Sequence, residues 1–242
     1  MECCVKDPVS VMKRYEMKYL LDARQTAYLR RALEGHMAVD AFGLTTIASL
    51  YYDTPSFRLV RASLEKPVFK EKLRLRSYGL ADEQSPVYLE LKRKSDGVVY
   101  KRRVQTTVPR AEAFFRGKGE LCRDGQIRRE IEAFRRHCGE LRPACLILYD
   151  RTAYFQPEGD LRLTIDKAPR YRMEDLDLTS SLEGTPLLAP GWTILEIKVQ
   201  GAMPLWLAGI LSQGRIYKTS FSKYGEAYSR TVRGEKNLLL AG

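Results

Sequence analysis

Between Phe69 and Tyr78 the chain reads FKEKLRLRSY, and every second residue from Lys70 is a cation: Lys70, Lys72, Arg74 and Arg76. Successive side chains of a β-strand point to opposite faces of its sheet. A strand here carries four positive charges on one face, with Phe69, Leu73 and Leu75 on the other. Like charges at that spacing repel, so the ladder needs a polyanion or counter-ions from elsewhere in the fold. Arginine forks and lysine ammonium groups set in a row suit a linear chain of phosphates.

The same texture recurs along the chain. RYEMKYLLD places Arg14, Glu16 and Lys18 on one face of a first strand. VYLELKRKSDGVVYKRR is the clearest hairpin, because Asp96-Gly97 favours a two-residue turn. That turn pairs Ser95 with Val98, Lys92 with Lys101 and Glu90 with Arg103, so charges share one face and apolar residues mostly the other. Later runs add Arg162 with Asp166, and Glu196 with Lys198, while Arg151 falls in YDRTAYF, a stretch apolar on both sides. Taken alone, each strand reads as a solvated, salt-bridged outer face. The repetition over five or six strands favours a sheet closed on itself, with the polar faces turned inward around an aqueous lumen. One or two carboxylates there would hold a divalent metal that bridges the phosphates.

These strands need elements to carry them. The first strand is expected at about 12–20, and Asp22 caps a helix near 23–34, with Gln25 in capping-box position and Gly35 at the stop. TTIASLYYDT reads as a strand ended by Asp53-Thr54-Pro55, and a short helix follows at about 56–64. A helical stretch is expected over 109–139. ACLILYDRTAYFQ and DLRLTIDKAPRY form a second hairpin through Pro157-Glu158-Gly159, and GWTILEIKVQ is a further strand. Helices from Pro204 to Gln213 and from Ser222 close the order. His36 and His137 lack metal-ligand spacing and read as surface or packing residues, and Tyr51 and Tyr52 as packing.

The whole chain of 242 residues has 41 Lys and Arg against 30 Asp and Glu, a formal charge of +11. That balance favours a polyanionic partner. The cations alternate with Glu on strands and no aromatic stacking platform accompanies them, which argues against nucleic acid. Five cysteines in no CxxC pairing point to a reduced compartment without a zinc knuckle. MECCVKDPVS has no apolar core of a signal peptide, and no apolar run is long enough to span a bilayer. A soluble, cytoplasmic protein is expected, with peripheral association with a membrane complex left open.

RYEMKYLLD, LYYDTPSF, KLRLRSYG, VYLELKRKSDGVVYKRR, LILYDRTAYF, LRLTIDK, ILEIKV and SFSKYGEAY, in that order, resemble the VTC domain, the polyphosphate polymerase branch of the triphosphate tunnel metalloenzymes. The resemblance implies an α+β fold: an antiparallel tunnel barrel with helices packed on its outside. It spans about 13–230 as one domain, between a flexible N-terminus (1–12) and a C-terminal tail (231–242). It also implies a nucleoside triphosphate such as ATP, Mg²⁺ or Mn²⁺, and transfer of the terminal phosphate onto inorganic polyphosphate. Arg74, Arg76, Lys92 and Lys18 resemble the family's catalytic phosphate cations. Arg151, Lys101, Arg103, Lys198 and Lys223 resemble further substrate ligands, and Glu196 its metal-binding carboxylate. The alternation adds Lys72 and Arg162 to the phosphate set, and Glu16 and Glu90 to the metal set. Arg14 stands where the broader superfamily's Glu-x-Glu-x-Lys has its first Glu, a departure that suits the polymerase branch. A triphosphatase that uses water as acceptor, and a non-catalytic polyphosphate-binding module, are the alternatives.

Overall fold

The computed structural model describes residues 15–65, 67–96, 98–121 and 125–234. Arg14, Gly97, three of the five cysteines and both termini lie outside them. β1 (Tyr15–Leu21) runs into α1 (Ala23–Ala32) through the expected cap. The Asp22 carboxylate accepts from the Gln25 amide at 2.8 Å, and the Gln25 side chain accepts from the Asp22 amide at 3.1 Å. This reciprocal pair satisfies two donors that a helix start leaves orphaned.

β2 (Ala38–Asp53) is longer than its apolar core suggests. Its first residues pair with β6 before a register shift between Val39 and Leu44, and that irregularity hides the alternation in the sequence. α2 (Arg58–Leu64), β3 (Phe69–Tyr78), β4 (Val87–Ser95) and β5 (Val98–Thr106) follow. The hairpin register is the one Asp96-Gly97 implied: Ser95 opposite Val98, Lys92 opposite Lys101 and Glu90 opposite Arg103. The helical stretch expected over 109–139 is two helices, α3 (Val108–Phe115) and α4 (Gln126–Cys138). Gly117 adopts φ 72° just after the first, a left-handed conformation in which a right-handed helix ends. The remaining elements are β6 (Arg142–Phe155), β7 (Arg162–Arg172), β8 (Thr185–Pro186), β9 (Thr193–Val199), α5 (Leu205–Gln213), β10 (Lys218–Thr219) and α6 (Lys223–Thr231).

The strands form one antiparallel sheet in the order β10-β1-β9-β7-β6-β2-β3-β4-β5, with β8 beside β7. The hydrogen-bonded path ends at β5 and β10 among the described residues. Side chains span the remaining gap: the Lys92 ammonium on β4 donates to Glu16 on β1 at 3.1 Å. The two ends of the sheet therefore face each other.

Two apolar layers cover the outer face. Leu73, Leu75, Leu89 and Leu91 pack with Phe114 of α3 and with Ile131 and Phe134 of α4. Leu163, Ile165, Leu195 and Ile197 pack with Leu29 of α1 and with Leu207 and Leu211 of α5. α2 and α6 are placed differently. Val60, Tyr224, Ala227 and Tyr228 join Tyr51, Ile147 and Tyr149, residues of the inner face, so these two helices fill one end of the concave side.

Asp53, fully buried, ties that end together. Its carboxylate accepts from the backbone amides of Thr54, Leu59 and Val60 at 2.8, 2.8 and 2.9 Å, and from the Tyr224 hydroxyl at 3.0 Å. It caps α2 and anchors α6 in one group. Replacing Asp53 with Ala leaves several buried donors unpaired, so denaturant unfolding should show a loss on the order of 3 kcal/mol. Tyr224→Phe removes a single donor and should lose about 1 kcal/mol.

Candidate functional site

The inner face encloses a cavity of about 430 Å³. Nine cations line it: Lys18, Lys72, Arg74, Arg76, Lys92, Lys101, Arg151, Lys198 and Lys223, with the carboxylates of Glu16 and Glu196. A second chamber of about 500 Å³ shares Glu16, Lys18, Lys72, Lys92 and Ser222 with the first and adds Lys70, Lys94 and Lys218. The two adjoin at these shared residues. Every residue in the first group except Tyr51, Val99, Tyr149, Ser222 and Tyr224 belongs to the set expected from the sequence.

Three of the expected residues stand off the wall. Glu90, 1% exposed, lies behind the cations. Arg103 reaches Glu90 at 3.5 Å but turns its guanidinium onto Tyr88. Arg162 sits in register with Lys198, exposed, with its guanidinium over Phe155.

Buried carboxylates hold the cations in place. Glu90 pairs with Arg74 at 2.8 Å and Lys101 at 2.8 Å, and lies 3.8 Å from Arg76. Arg74 also donates to the Tyr51 hydroxyl at 3.2 Å, and Arg76 to the Tyr149 hydroxyl at 3.1 Å. On the facing wall Glu196 is ringed by Lys18 at 3.3 Å, Arg151 at 3.5 Å, Lys223 at 3.9 Å and Lys198 at 4.0 Å. Asp166 behind it takes two hydrogen bonds from Arg151, at 2.6 and 2.8 Å, and one from Lys223 at 2.5 Å. Lys223 starts α6 just after its N-cap, Ser222, whose hydroxyl accepts from Lys72 at 3.2 Å.

Tyr149 is the member that sequence reasoning missed. Arg151 and Lys223 lie over its ring at 4.9 and 4.4 Å, while its hydroxyl faces Arg76. The one sequence signal for it is its spacing: it stands two residues before Arg151, on the same face of the same strand.

A family model described as the VTC domain matches residues 13–232. The chain belongs to the VTC domain family. Solved structures agree on the triphosphate tunnel fold. A Bacillus halodurans protein provisionally classed as an adenylate cyclase superposes with a TM-score of 0.52 at 15% identity, over 87% of this chain and 96% of its own. The Hippeastrum protein HpAC1, provisionally an adenylyl cyclase and described as having a dominant triphosphatase activity, gives 0.51 at 19% identity, over 93% of this chain and 98% of its own. No curated protein matches the chain. Among the described residues no helix is long and apolar enough to cross a membrane.

The carboxylates differ in what they could hold. Among the described residues no group of three or more His, Cys, Asp or Glu gathers as a metal cage. Glu16 and Glu196 both line the cavity and share Lys18, at 3.8 and 3.3 Å. Two hard oxygen donors on an open wall fit Mg²⁺ or Mn²⁺ shared with substrate phosphates, the usual arrangement for such ions. Glu90 suits the role less, because it is buried behind the cations and does not line the cavity.

The electrostatics follow from the pairing. Burial alone would raise Glu196, yet Lys18, Lys223 and Arg151 hold it well below the usual carboxylate range. Burial opposes ionisation of Glu16 too, and Lys92 still brings it to about 2. Three lysines of the wall shift toward neutrality. Burial lowers Lys101 and Lys198. Burial, aided by Lys18 and Lys92, lowers the Lys72 ammonium to about 8. The Tyr51 phenol, despite burial, falls to about 8 beside Arg74 and Lys72.

A pH dependence follows. Below about 8 Lys72 is charged and Tyr51 neutral; above it Lys72 loses its charge and Tyr51 becomes an anion. Both changes weaken the hold on a polyanion. Tripolyphosphate affinity, measured by calorimetry, should therefore fall as pH rises through 8, with proton uptake on binding near that pH. Lys72→Arg should flatten the fall.

Proposed function

We propose that this chain is a polyphosphate polymerase-like phosphotransferase that moves the terminal phosphate of ATP onto a polyphosphate chain within the cationic tunnel. The observation that carries the reading is the convergence of nine cations from six strands and α6 on one lumen, with two carboxylates on its wall, in a VTC domain. Phosphoryl transfer is mainly positioning and charge neutralisation, and it needs no protein nucleophile.

In this reading Arg74, Arg76, Lys18 and Lys92 bind the non-bridging oxygens of the reacting phosphates. Glu90 fixes the two arginines, and Asp166 fixes Arg151 and Lys223 against the opposite side of the substrate. The bond from the terminal phosphorus to the β-phosphate oxygen breaks, and ADP leaves with that electron pair. A new bond forms to the terminal oxygen of the acceptor chain. Glu196 and Glu16 would hold a divalent ion, which would supply further neutralisation at the phosphate oxygens. Lys101, Lys198 and Lys72 extend the cationic wall. We place Arg162 outside the reacting set, since it is exposed beside Phe155.

The second reading is a triphosphatase, with water in place of the acceptor chain. The triphosphatase activity described for the Hippeastrum protein favours it. Incubation with ATP and Mn²⁺, with products resolved on a gel, separates the two: a ladder of long polyphosphate supports transfer, and orthophosphate alone supports hydrolysis. Neither product in any divalent metal leaves a polyphosphate-binding module.

Two variants test the roles. Glu196→Gln keeps the shape and removes one negative charge from among four cations. It should bind polyphosphate at least as tightly as the wild type while metal-dependent turnover of ATP collapses; full turnover would put the metal elsewhere. Arg74→Ala should lose about 1.5–3 kcal/mol of tripolyphosphate binding, the worth of a charge-assisted hydrogen bond. Its melting temperature should change little, because Glu90 keeps Arg76, Lys101 and Arg103. An unaltered ligand-induced shift in the melt would remove Arg74 from the site.

A further inference from the structure

The row of lumen-facing side chains on β3 does not stop at Arg76. Tyr78 follows on the same face, 48% exposed. On the neighbouring strand Tyr88 lies opposite Arg76, and the two tyrosine rings meet edge to face, with centroids 5.8 Å apart. Arg103 completes the group from β5. Its guanidinium carbon stands 3.6 Å from the Tyr88 ring centre and 5.6 Å from that of Tyr78, and it donates to the Tyr78 hydroxyl at 2.9 Å. A strand rises about 3.3 Å per residue, so Tyr78 stands roughly 7 Å beyond Arg76 along the row. The lysine-rich chamber lies the other way, at Lys70 and Lys72 of the same strand.

A lone exposed tyrosine needs no explanation. This one is held by a hydrogen bond from an arginine that is itself stacked, and it continues a row of phosphate-type cations at its end. A large, fixed, half-exposed ring in that place can stack on a planar base. We propose that Tyr78, held by Arg103 and backed by Tyr88, receives the base of a nucleoside triphosphate. The substrate then lies with its base at this end and its terminal phosphate directed toward the lysine-rich chamber. The proposal rests on the phosphate-binding reading of the tunnel and adds the nucleoside half and a direction. It also gives Arg103 a different duty from the phosphate cations: it orients the ring. Stacking reads the face of a base and not its edge, so ATP and GTP bind alike.

The test is calorimetric binding of ATP, GTP and tripolyphosphate to the wild type, Tyr78→Ala and Tyr78→Trp, without turnover metal. Tyr78→Ala should weaken ATP and GTP about tenfold and leave tripolyphosphate within about twofold, as expected for loss of one stacked base. Tyr78→Trp should retain nucleotide affinity. Unchanged ATP binding by Tyr78→Ala, with tripolyphosphate still bound, overturns the platform and leaves the phosphate tunnel intact. An equal loss of ATP and tripolyphosphate also overturns it, since Tyr78 would then act through the cations. A wild type that binds none of the three ligands overturns the phosphate reading itself.

Discussion

The inner face depends on one imbalance: more cations than carboxylates, each carboxylate shared. Glu196 has four cations within 4.0 Å, and Glu90 lies beneath another four. Paired one to one, these groups would form a neutral lattice with little attraction for an anion. With no acids at all, lysines taken out of water would lose their protons. Sharing lies between these limits. It keeps the arginines charged and aimed while leaving a net positive field for a ligand to neutralise. Lys72 marks where compensation runs thin. Its ammonium donates to the Ser222 hydroxyl, and it is the lysine brought down to about 8.

Such a face adds little stability, so stability comes from elsewhere. The same strands that turn cations inward turn leucine, isoleucine and valine outward, where α3 with α4 and α1 with α5 cover them. Each outer layer is an ordinary sheet-on-helix core, so the inner face is free to be polar. At the end beneath α2 and α6 the concave side becomes apolar, around Ile147, Tyr171 and Tyr224. Asp53 fixes that end, and through α6 it sets where Lys223 meets Asp166. A capping carboxylate on one side of the fold thus positions a cation on the wall of the site.

Much of this was legible in residue order. A period of two is read directly from strands such as FKEKLRLRSY and ILEIKV, and a two-residue turn fixes a hairpin register without any tertiary information. The residues that stayed hidden share a physical reason. The start of β2 pairs across a register shift, which breaks the alternation. The two-residue strands β8 and β10 are too short to show a period. Tyr149 sits on a strand buried on both faces, where nothing in the pattern separates a core side from a lumen side. Arg103 shows the converse: its spacing placed it on the right face, but neighbouring tyrosines decide where its guanidinium goes, and those are contacts between strands.

The two chambers differ in the kind of cation they hold, and that difference bears on how a chain of phosphates would be handled. Around Tyr149 three of the nine cations are arginines anchored by buried acids and phenol hydroxyls: Arg74, Arg76 and Arg151. An arginine fork fits one orientation of a phosphate and resists rearrangement. The other chamber carries lysines alone among its cations, with Ser220, Ser222 and Thr219 beside them. An ammonium group on a flexible stem presents three rotatable donors and can pass from one oxygen to the next with little reorganisation. On the proposed reading, the arginine chamber suits phosphates that must be held still while a bond is exchanged. The lysine chamber suits a uniform chain that must remain bound while it moves on by one unit. On that reading the second chamber gives an acceptor longer than water a place to bind.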